Sequence, residues 1–274
     1  MKILVRLIIF LLLTLLTQVG GVIYLLCWPL FYLIEKKAAK KSASFLLKPL
    51  SFLVVYILLS ATVIPMLAGV FGRAALPVFG GHGIRPNNIM TCLLNRHYVR
   101  RSLRDVLIEV ADKQKENGIS LPLRYLDAGF PFVNGWPMLP HLSHNDGRKL
   151  DLSYYYQDKE NAEALTGTPA WSGYGFCEAP VNGEVDMPCQ CEQSGHTQYS
   201  ILRKLSSDAL HEIYNVDAGA TATLIRALAA EPSVSMIFIE PHLKHRWQLD
   251  DVSKIKFHGC HAVRHDDHIH IQIR

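Results

Sequence analysis

The last ten residues form a histidine-rich segment whose spacing could hold a metal ion. His265, His268 and His270 follow the pattern His-x-x-His-x-His and alternate with isoleucine in a segment that reads as a β-strand. In a strand, side chains two positions apart share a face, so His268 and His270 point the same way while Ile269 and Ile271 point into the opposite layer. By itself the motif also fits an ordinary strand with polar residues on its solvent face.

A second polar group lies far upstream and strengthens the metal interpretation. His144 and Asp151 are seven positions apart, with Gly147 between them. A glycine can turn the chain so that a histidine before a strand returns close to an aspartate on that strand. Together with His270, these residues make three protein ligands with a fourth position open, which is how a catalytic zinc differs from a closed structural one.

These residues must be positioned by a domain that mixes helices and strands. Apolar residues at helical spacing predict a helix over 98–115, and residues 200–230 read as largely helical. Residues 157–199 carry no period, and we interpret them as a long insertion. Strands are predicted at 121–126, 150–156, 234–240, 254–257 and in the terminal segment. The sequence therefore predicts an α+β domain over residues 98–274, with a small antiparallel sheet and helices packed on it.

Residues 1–79 have the composition of a membrane anchor. No charged residue occurs for 28 positions after Arg6 or for 24 positions after Lys48. Each stretch exceeds the roughly 20 apolar residues that cross a bilayer core. We predict two transmembrane helices, or three if Gly20 and Gly21 divide the first stretch, followed by a linker over 80–97 that is rich in glycine and proline. A cleavable signal peptide is the alternative for the first stretch, but the stretch is about twice the usual length of such a segment.

The orientation of the anchor follows from the loop between the apolar stretches. Residues 35–48 contain five lysines, and positive loops favour the cytoplasmic side. The domain after residue 79 is therefore expected to face the periplasm or cell exterior, from an inner or plasma membrane. Lys2 and Arg6 argue the other way in an anchor with two spans.

The cysteines also lie mainly in the domain, where an external location permits disulfides. Five of the six follow residue 80, and four of these make an even set whose pairing the sequence leaves open: Cys177, Cys189, Cys191 and Cys260. A rival interpretation places Cys189, Cys191 and His196 in a structural zinc site. The net charge is only +4, and the domain has no long basic tract, so nucleic acid is not an expected partner.

The spaced motifs resemble those of a known group of zinc peptidases. Ser143-His144-x-x-Gly147-x-x-x-Asp151, followed by His265-x-x-His268-x-His270, is similar to the group that contains zinc D-alanyl-D-alanine carboxypeptidases, lysostaphin-type endopeptidases and penicillin-insensitive murein endopeptidase. The strand that ends at Glu240 and Pro241 also looks like that endopeptidase. The resemblance covers residues 120–156 and 205–274 and implies a hedgehog/D-Ala-D-Ala peptidase-like fold.

The resemblance also implies a role for each motif residue. His144, Asp151 and His270 would bind Zn²⁺, His268 would act as the general base, and His265 would assist by proton transfer or by stabilising the oxyanion. Bound zinc lowers the pKa of water towards 7 and polarises a carbonyl, so that water can attack an amide while an imidazole moves the proton. The implied activity is hydrolysis of peptidoglycan peptides by an endopeptidase or a D,D-carboxypeptidase at the bilayer.

Several residues keep simpler interpretations, and a function without catalysis stays open. A zinc domain of the same fold could serve as a cell-wall binding or signalling module, although such a module would not need His265 and His268. Arg148, Arg124 and Arg85 are candidates for holding a substrate carboxylate. Asp266 or Asp267 could orient an imidazole, although strand alternation would turn Asp267 away from His268. Four further histidines are interpreted as surface or core-edge residues: His141, His242, His258 and His261.

Overall fold

The computed structural model describes residues 2–38, 40–139, 141–200, 203–204 and 206–274. Apolar helices form its first part, and a domain of mixed helices and sheets follows them. The α+β prediction is therefore confirmed at the level of fold class.

The apolar segment contains five helices, and its first uncharged stretch is not one continuous span. The helices are α1 (Lys2–Thr17), α2 (Gly20–Leu26), α3 (Trp28–Lys37), α4 (Lys41–Ala61) and α5 (Val63–Val70). Among the described residues, α4 alone is long and apolar enough to cross a membrane by itself. The prediction of several long transmembrane helices is corrected to this extent, because turns at residues 18–19 and 27 interrupt the first stretch.

Helices α1 and α2 fold back on each other as a tight hairpin. Gln18 adopts a positive φ of 65°, which reverses the chain between the two helices. A Cβ atom at Gly21 would lie 1.9 Å from Thr14 Oγ1, so only glycine allows the two backbones to approach this closely. The first stretch is thus divided at residues 18–19, just before Gly20 and Gly21.

The domain is built on a six-stranded sheet. Its strand order is β10-β9-β11-β5-β4-β2, from strands β2 (Ile84–Pro86), β4 (Leu123–Tyr125), β5 (Lys149–Ser153), β9 (Val234–Phe238), β10 (Ile255–Lys256) and β11 (His268–Ile273). The central pairs are antiparallel, whereas β10 pairs with β9 and β2 pairs with β4 in parallel. The predicted small antiparallel sheet is thus larger and mixed, because β2, which lies outside the predicted strands, adds one edge, and β10, which lies within the predicted strand 254–257, pairs in parallel at the other.

Residues 80–97 contribute to the domain instead of forming a free linker. They supply β2 and helix α6 (Ile89–Leu93), while β1 (Arg73–Ala75) pairs with β3 (Tyr98–Arg100) just outside the main sheet. The helix predicted over 98–115 begins after β3, as α7 (Arg101–Glu116).

The predicted insertion and the helical run after it are divided into short elements. The insertion contains β6 (Tyr156–Asp158), β7 (Ala164–Leu165) and α8 (Met187–Gln193), and the run contains α9 (Leu210–Ile213), β8 (Tyr214–Val216) and α10 (Ala218–Ala230). Strands β7, β6 and β8 form a second sheet. Residues 201, 202 and 205 lie outside the described part of this run.

The two faces of the main sheet differ in chemistry at β5 and β11. Leu150, Leu152, Ile269 and Ile271 are fully buried in the hydrophobic core, together with residues of α7, α10 and the short helix α11 (Pro241–Arg246). Because side chains alternate along a strand, Asp151 and the β11 histidines must lie on the other face. The apolar core therefore fixes the orientation of the polar residues.

Candidate metal centre

Two of the predicted ligands face each other across neighbouring strands. Asp151 of β5 and His270 of β11 are direct partners in the antiparallel register. Opposite residues of such a pair bring their side chains close together on one face. Asp151 Oδ1 lies 2.8 Å from His270 Nδ1, and both side chains are almost completely buried.

The third ligand reaches this pair from the loop before β5. His144 Nδ1 donates a hydrogen bond to the carbonyl oxygen of Ala128 at 3.0 Å, which leaves Nε2 free to bind a metal. His144 Nε2 lies 3.2 Å from His270 Nδ1 and 3.2 Å from Asp151 Oδ1. Gly147 adopts a φ of 70° in this loop and supplies the turn expected from the sequence.

The donor set fits a metal ion. His144, Asp151 and His270 form a buried group that could hold one. A tetrahedral zinc with ligand bonds of about 2.0–2.1 Å separates its ligand atoms by roughly 3.3 Å. The three separations of 2.8–3.2 Å are close to this value. Three acceptor atoms that converge in a buried site repel one another unless a proton or a cation lies between them.

Asp151 is held in its charged form by the groups around it. Burial by itself would raise the pKa of Asp151, but the charges of His144 and His268 and hydrogen bonds from His144 and His270 keep this pKa well below its ordinary value. The second oxygen, Oδ2, accepts a hydrogen bond from the Tyr174 hydroxyl at 2.8 Å. Tyr174 therefore orients the carboxylate so that Oδ1 faces the histidines.

The two proposed proton-handling histidines lie beside the ligand group. The His268 ring is 4.9 Å from that of His265 and shares a face of β11 with His270. His268 Nδ1 donates to Asp267 Oδ1, and His268 Nε2 is buried without a hydrogen-bond partner 3.7 Å from Asp151 Oδ1. Strand alternation was expected to turn Asp267 away from His268. Asp267 precedes β11, so strand alternation does not apply to it, and its carboxylate orients the His268 ring. Asp266 pairs instead with Arg264.

The pKa values of these two histidines move in opposite directions. Burial would lower the pKa of His268, but the carboxylates of Asp151 and Asp267 raise it to about 9. Burial and the nearby charges of His268 and His270 place the pKa of His265 well below its ordinary value. At neutral pH and without a metal, His268 is therefore protonated and His265 is neutral.

His141 belongs to the site although the sequence suggested a surface or core-edge residue. Its Nδ1 donates to Asp127 Oδ2 at 3.0 Å and lies 3.5 Å from Asp151 Oδ2, while its buried Nε2 has no hydrogen-bond partner. The spacing His141-x-x-His144 was the available signal for this residue. Asp127 and Tyr174 had no such signal, because neither belongs to a spaced motif.

The histidines line a cavity of about 400 Å³. His141, His144, His268 and His270 form one side, and residues 258–265 with Gln198 and Tyr199 of the insertion form the remainder. His258 and His261 thus border the cavity without joining the ligand group. His242, on α11, donates a hydrogen bond from Nε2 to the Glu178 carbonyl oxygen at 2.7 Å.

A disulfide attaches the insertion to the cavity wall. Cys191 of α8 is bonded to Cys260, whereas Cys177 and Cys189 are free thiols. Two of the four disulfide candidates are therefore not paired, and Cys191 is not available for the rival zinc site with Cys189 and His196.

The three arginines considered for substrate binding lie elsewhere. Arg85 and Arg124 are register partners on β2 and β4 near the sheet edge, and Arg148 is exposed before β5. The cavity is lined instead by Arg264, whose guanidinium binds the Asp266 carboxylate through two nitrogens and Ser200 Oγ through the third.

No protein-family model matches this chain, and no curated protein matches it significantly.

Tyr174→Phe is expected to lower zinc affinity about 10–100-fold without unfolding the domain. The substitution removes the hydroxyl that binds Asp151 Oδ2 but keeps the ring, which packs 4.7 Å from His141 and 5.1 Å from His268. The loss of a hydrogen bond to a metal ligand typically lowers metal affinity by this factor. Competition with a chromogenic chelator measures the affinity, with Tyr214→Phe in the second sheet as control. Equal affinities for both variants would contradict the role given to Tyr174.

Glu240→Gln is expected to reduce the loss of stability as pH rises from about 4.5 to 7. Burial and the charge of Asp266 raise the pKa of Glu240 to about 7, although its Oε1 accepts hydrogen bonds from Tyr199 and the His265 backbone. A carboxyl whose pKa is raised on folding stabilises the fold at low pH, and this contribution, about 3 kcal/mol for such a shift, is lost as pH rises through 7. Thermal unfolding of the metal-free proteins at pH 5 and pH 8 tests this. The same difference between variant and wild type at both pH values would contradict it.

Proposed function

We propose that this chain is a membrane-anchored zinc peptidase that hydrolyses an amide bond in peptidoglycan peptides. The observation that carries the proposal is the convergence of His144 Nε2, Asp151 Oδ1 and His270 Nδ1 in one buried group beside two further histidines and a cavity. A structural metal site would usually be closed by a fourth protein ligand, whereas three ligands on a cavity wall leave room for water and substrate.

The bound zinc would supply Lewis acidity, activating water and polarising the scissile carbonyl. The protein would supply the movement of protons. His268 Nε2 faces the ligand group, and Asp267 holds the opposite nitrogen as N–H, so a proton gained at Nε2 can be passed to the leaving amine. Neutralisation of Asp151 by a cation would remove one of the charges that raise the pKa of His268, moving this pKa towards neutrality.

The proposed substrate class comes from the resemblance to murein endopeptidases and zinc D-Ala-D-Ala carboxypeptidases. The motif residues that the resemblance requires are close together here although they come from segments more than 100 positions apart. Both an internal amide and a terminal D-Ala-D-Ala bond fit this chemistry. The products distinguish the two reactions, since only the carboxypeptidase releases a single amino acid.

We also propose that the anchor crosses the membrane three times, through α1, through α2 with α3, and through α4. The hairpin tip at Gln18 contacts the domain, because Gln18 Oε1 accepts a hydrogen bond from the Phe132 backbone at 2.8 Å. Lys2 and Arg6 belong to the other end of α1. They would then be cytoplasmic, like the lysines of residues 35–48, which agrees with the preference of positively charged residues for the cytoplasmic side. Reporters fused at the N-terminus and after residue 37 are expected to be cytoplasmic, and a reporter after residue 274 is expected to be external. An external reporter at the N-terminus would contradict the three crossings.

The function is tested with the zinc-loaded full-length protein in detergent and a mixture of purified muropeptides. We expect chromatography and mass spectrometry to show shortened or separated stem peptides, with activity lost in a chelator and restored by zinc. Stoichiometric zinc without cleavage of any muropeptide would refute the peptidase and favour a zinc-binding module. A protein that binds no zinc would refute both functions.

A further inference from the structure

The loop that carries His141 and His144 is also the loop that holds the apolar hairpin. We call residues 129–145 the site loop. Trp136 Nε1 donates a hydrogen bond to the Leu15 carbonyl oxygen of α1 at 3.2 Å, and Gln18 contacts Phe132 and Val133. The membrane segment and the candidate metal centre are therefore attached to the same short piece of chain.

The separation between the centre and the hairpin is small. Gly135 N donates a hydrogen bond to Asn145 O at 2.8 Å. Trp136 follows Gly135 and His144 precedes Asn145, so this hydrogen bond brings Trp136 and His144 close together. Adjacent Cα atoms are 3.8 Å apart, and a tryptophan side chain and one hydrogen bond add roughly 9 Å. His144 therefore lies within roughly 20 Å of the Leu15 carbonyl oxygen.

An exposed apolar surface continues from the membrane helices onto this loop. On α5, Ile64 and Ala68 are buried in a cluster with residues of the other apolar helices and Tyr98 of the domain, whereas Met66 and Val70 are 77% and 82% exposed. The Phe71 ring, just after α5, lies 5.1 Å from the Phe132 ring of the site loop. Further along the loop, exposed apolar side chains follow at three positions: Val133, Leu139 and Leu142.

The bilayer is the occupant that fits this surface. The apolar surface begins directly after α4, which is long enough to cross a membrane, and continues through α5 to the site loop. A contiguous apolar surface beside a transmembrane helix is covered when it rests in the membrane interface. Leu142 belongs to this surface and also lines the metal cavity. The cavity therefore has an exposed apolar side chain of the site loop at its rim.

We infer that the site acts on peptides tethered to the bilayer by a lipid anchor, with the scissile amide bound within roughly 20 Å of the hairpin that the site loop contacts. This inference rests on the proposed peptidase function and specifies its substrate class. A tethered peptide is confined to the height at which the cavity opens, whereas a soluble peptide must be captured from bulk solution.

The test uses the zinc-loaded full-length protein in vesicles and one peptide in four forms. One form is soluble, and three are attached to a lipid through Gly/Ser spacers of about 2, 12 and 48 residues, whose root-mean-square reach is roughly 8, 20 and 40 Å. We expect the form with the intermediate spacer to be cleaved at least about tenfold faster than the soluble form and the form with the shortest spacer. The longest spacer controls for simple enrichment on the vesicle and should be slower than the intermediate one.

Charge on the apolar surface should act selectively. Leu139→Asp and Val133→Asp should lower the rate on the tethered peptide several-fold and leave the rate on the soluble peptide unchanged. If the soluble peptide is cleaved as fast as every tethered form, the inference is overturned and the peptidase function stands. If no form is cleaved, both fail.

The position of the cavity rim relative to the bilayer can also be measured without an activity assay. A spin label at Leu142→Cys in a Cys189→Ser background should show greater access to lipid-soluble oxygen than one at Ile213→Cys. Ile213 is a suitable control because it is an exposed apolar residue that does not line the metal cavity, and its carbonyl oxygen accepts a hydrogen bond from Lys159 N. Equal oxygen access at both positions would overturn the inference.

Discussion

Replacing His270 by alanine is expected to abolish stoichiometric zinc binding. His270 Nδ1 lies 2.8 Å from Asp151 Oδ1 and 3.2 Å from His144 Nε2, so its removal leaves two ligands and an open side. The affinity should fall by more than the roughly 10–100-fold that the loss of an outer hydrogen-bond partner causes. Metal analysis after dialysis measures the stoichiometry directly.

Zinc should also stop stabilising this variant. A ligand that binds the folded state at 100 times its dissociation constant contributes about 2.7 kcal/mol to stability, and this contribution disappears with the site. His242→Ala is the matched control, because His242 is also buried but lies on α11 outside the ligand group. The control variant should lose stability and keep its zinc. A His270→Ala protein that retains one zinc with wild-type affinity would refute the site.

Replacing His268 by alanine is expected to lower the hydrolysis rate by about 10²–10⁴ while zinc stays bound. His268 Nε2 is 3.7 Å from Asp151 Oδ1, but His268 is not one of the three converging ligands. The variant therefore removes the group that moves the proton and leaves the metal site intact. Rates on muropeptides, measured with proteins matched for zinc content, test this.

The position of His268 also predicts a weaker effect for its partner. Asp267→Asn should reduce the rate less than His268→Ala, because the imidazole remains while its preferred orientation and the charge that raises its pKa are lost. His258→Ala, which alters the cavity wall away from the ligand group, serves as control. Full activity in His268→Ala would assign proton transfer to another group, with His265 and His141 as the next candidates.

The local geometry of the candidate ligands was predictable because it depends on backbone periods. Strand alternation places His268 and His270 on one face, and the positive φ of Gly147 permits the turn that returns His144 to Asp151. The outer partners were not predictable in the same way. Tyr174 reaches Asp151 from an insertion without periodicity, and Asp127 reaches His141 from another loop, so neither contact leaves a repeating signal in the sequence.

The apolar N-terminal segment likewise combines features that the sequence predicts with features that it does not. Composition identifies the uncharged stretches, but the turn at Gln18 depends on how closely α1 and α2 pack at Gly21, and composition does not report that distance. Likewise, the spacing of the cysteines left their pairing open, and Cys191 joins Cys260 because the fold brings α8 beside the cavity wall.

The residue types of the candidate metal site, the face of β11 that carries its histidines and the apolar character of the N-terminal segment were all predictable, because each follows from neighbours a few positions apart. The fold was needed to show that Asp151 faces His270 across 119 positions, which residues orient them and that the site loop contacts the apolar hairpin. These contacts arise from packing between distant segments, and the free energy of that packing is shared over the whole core.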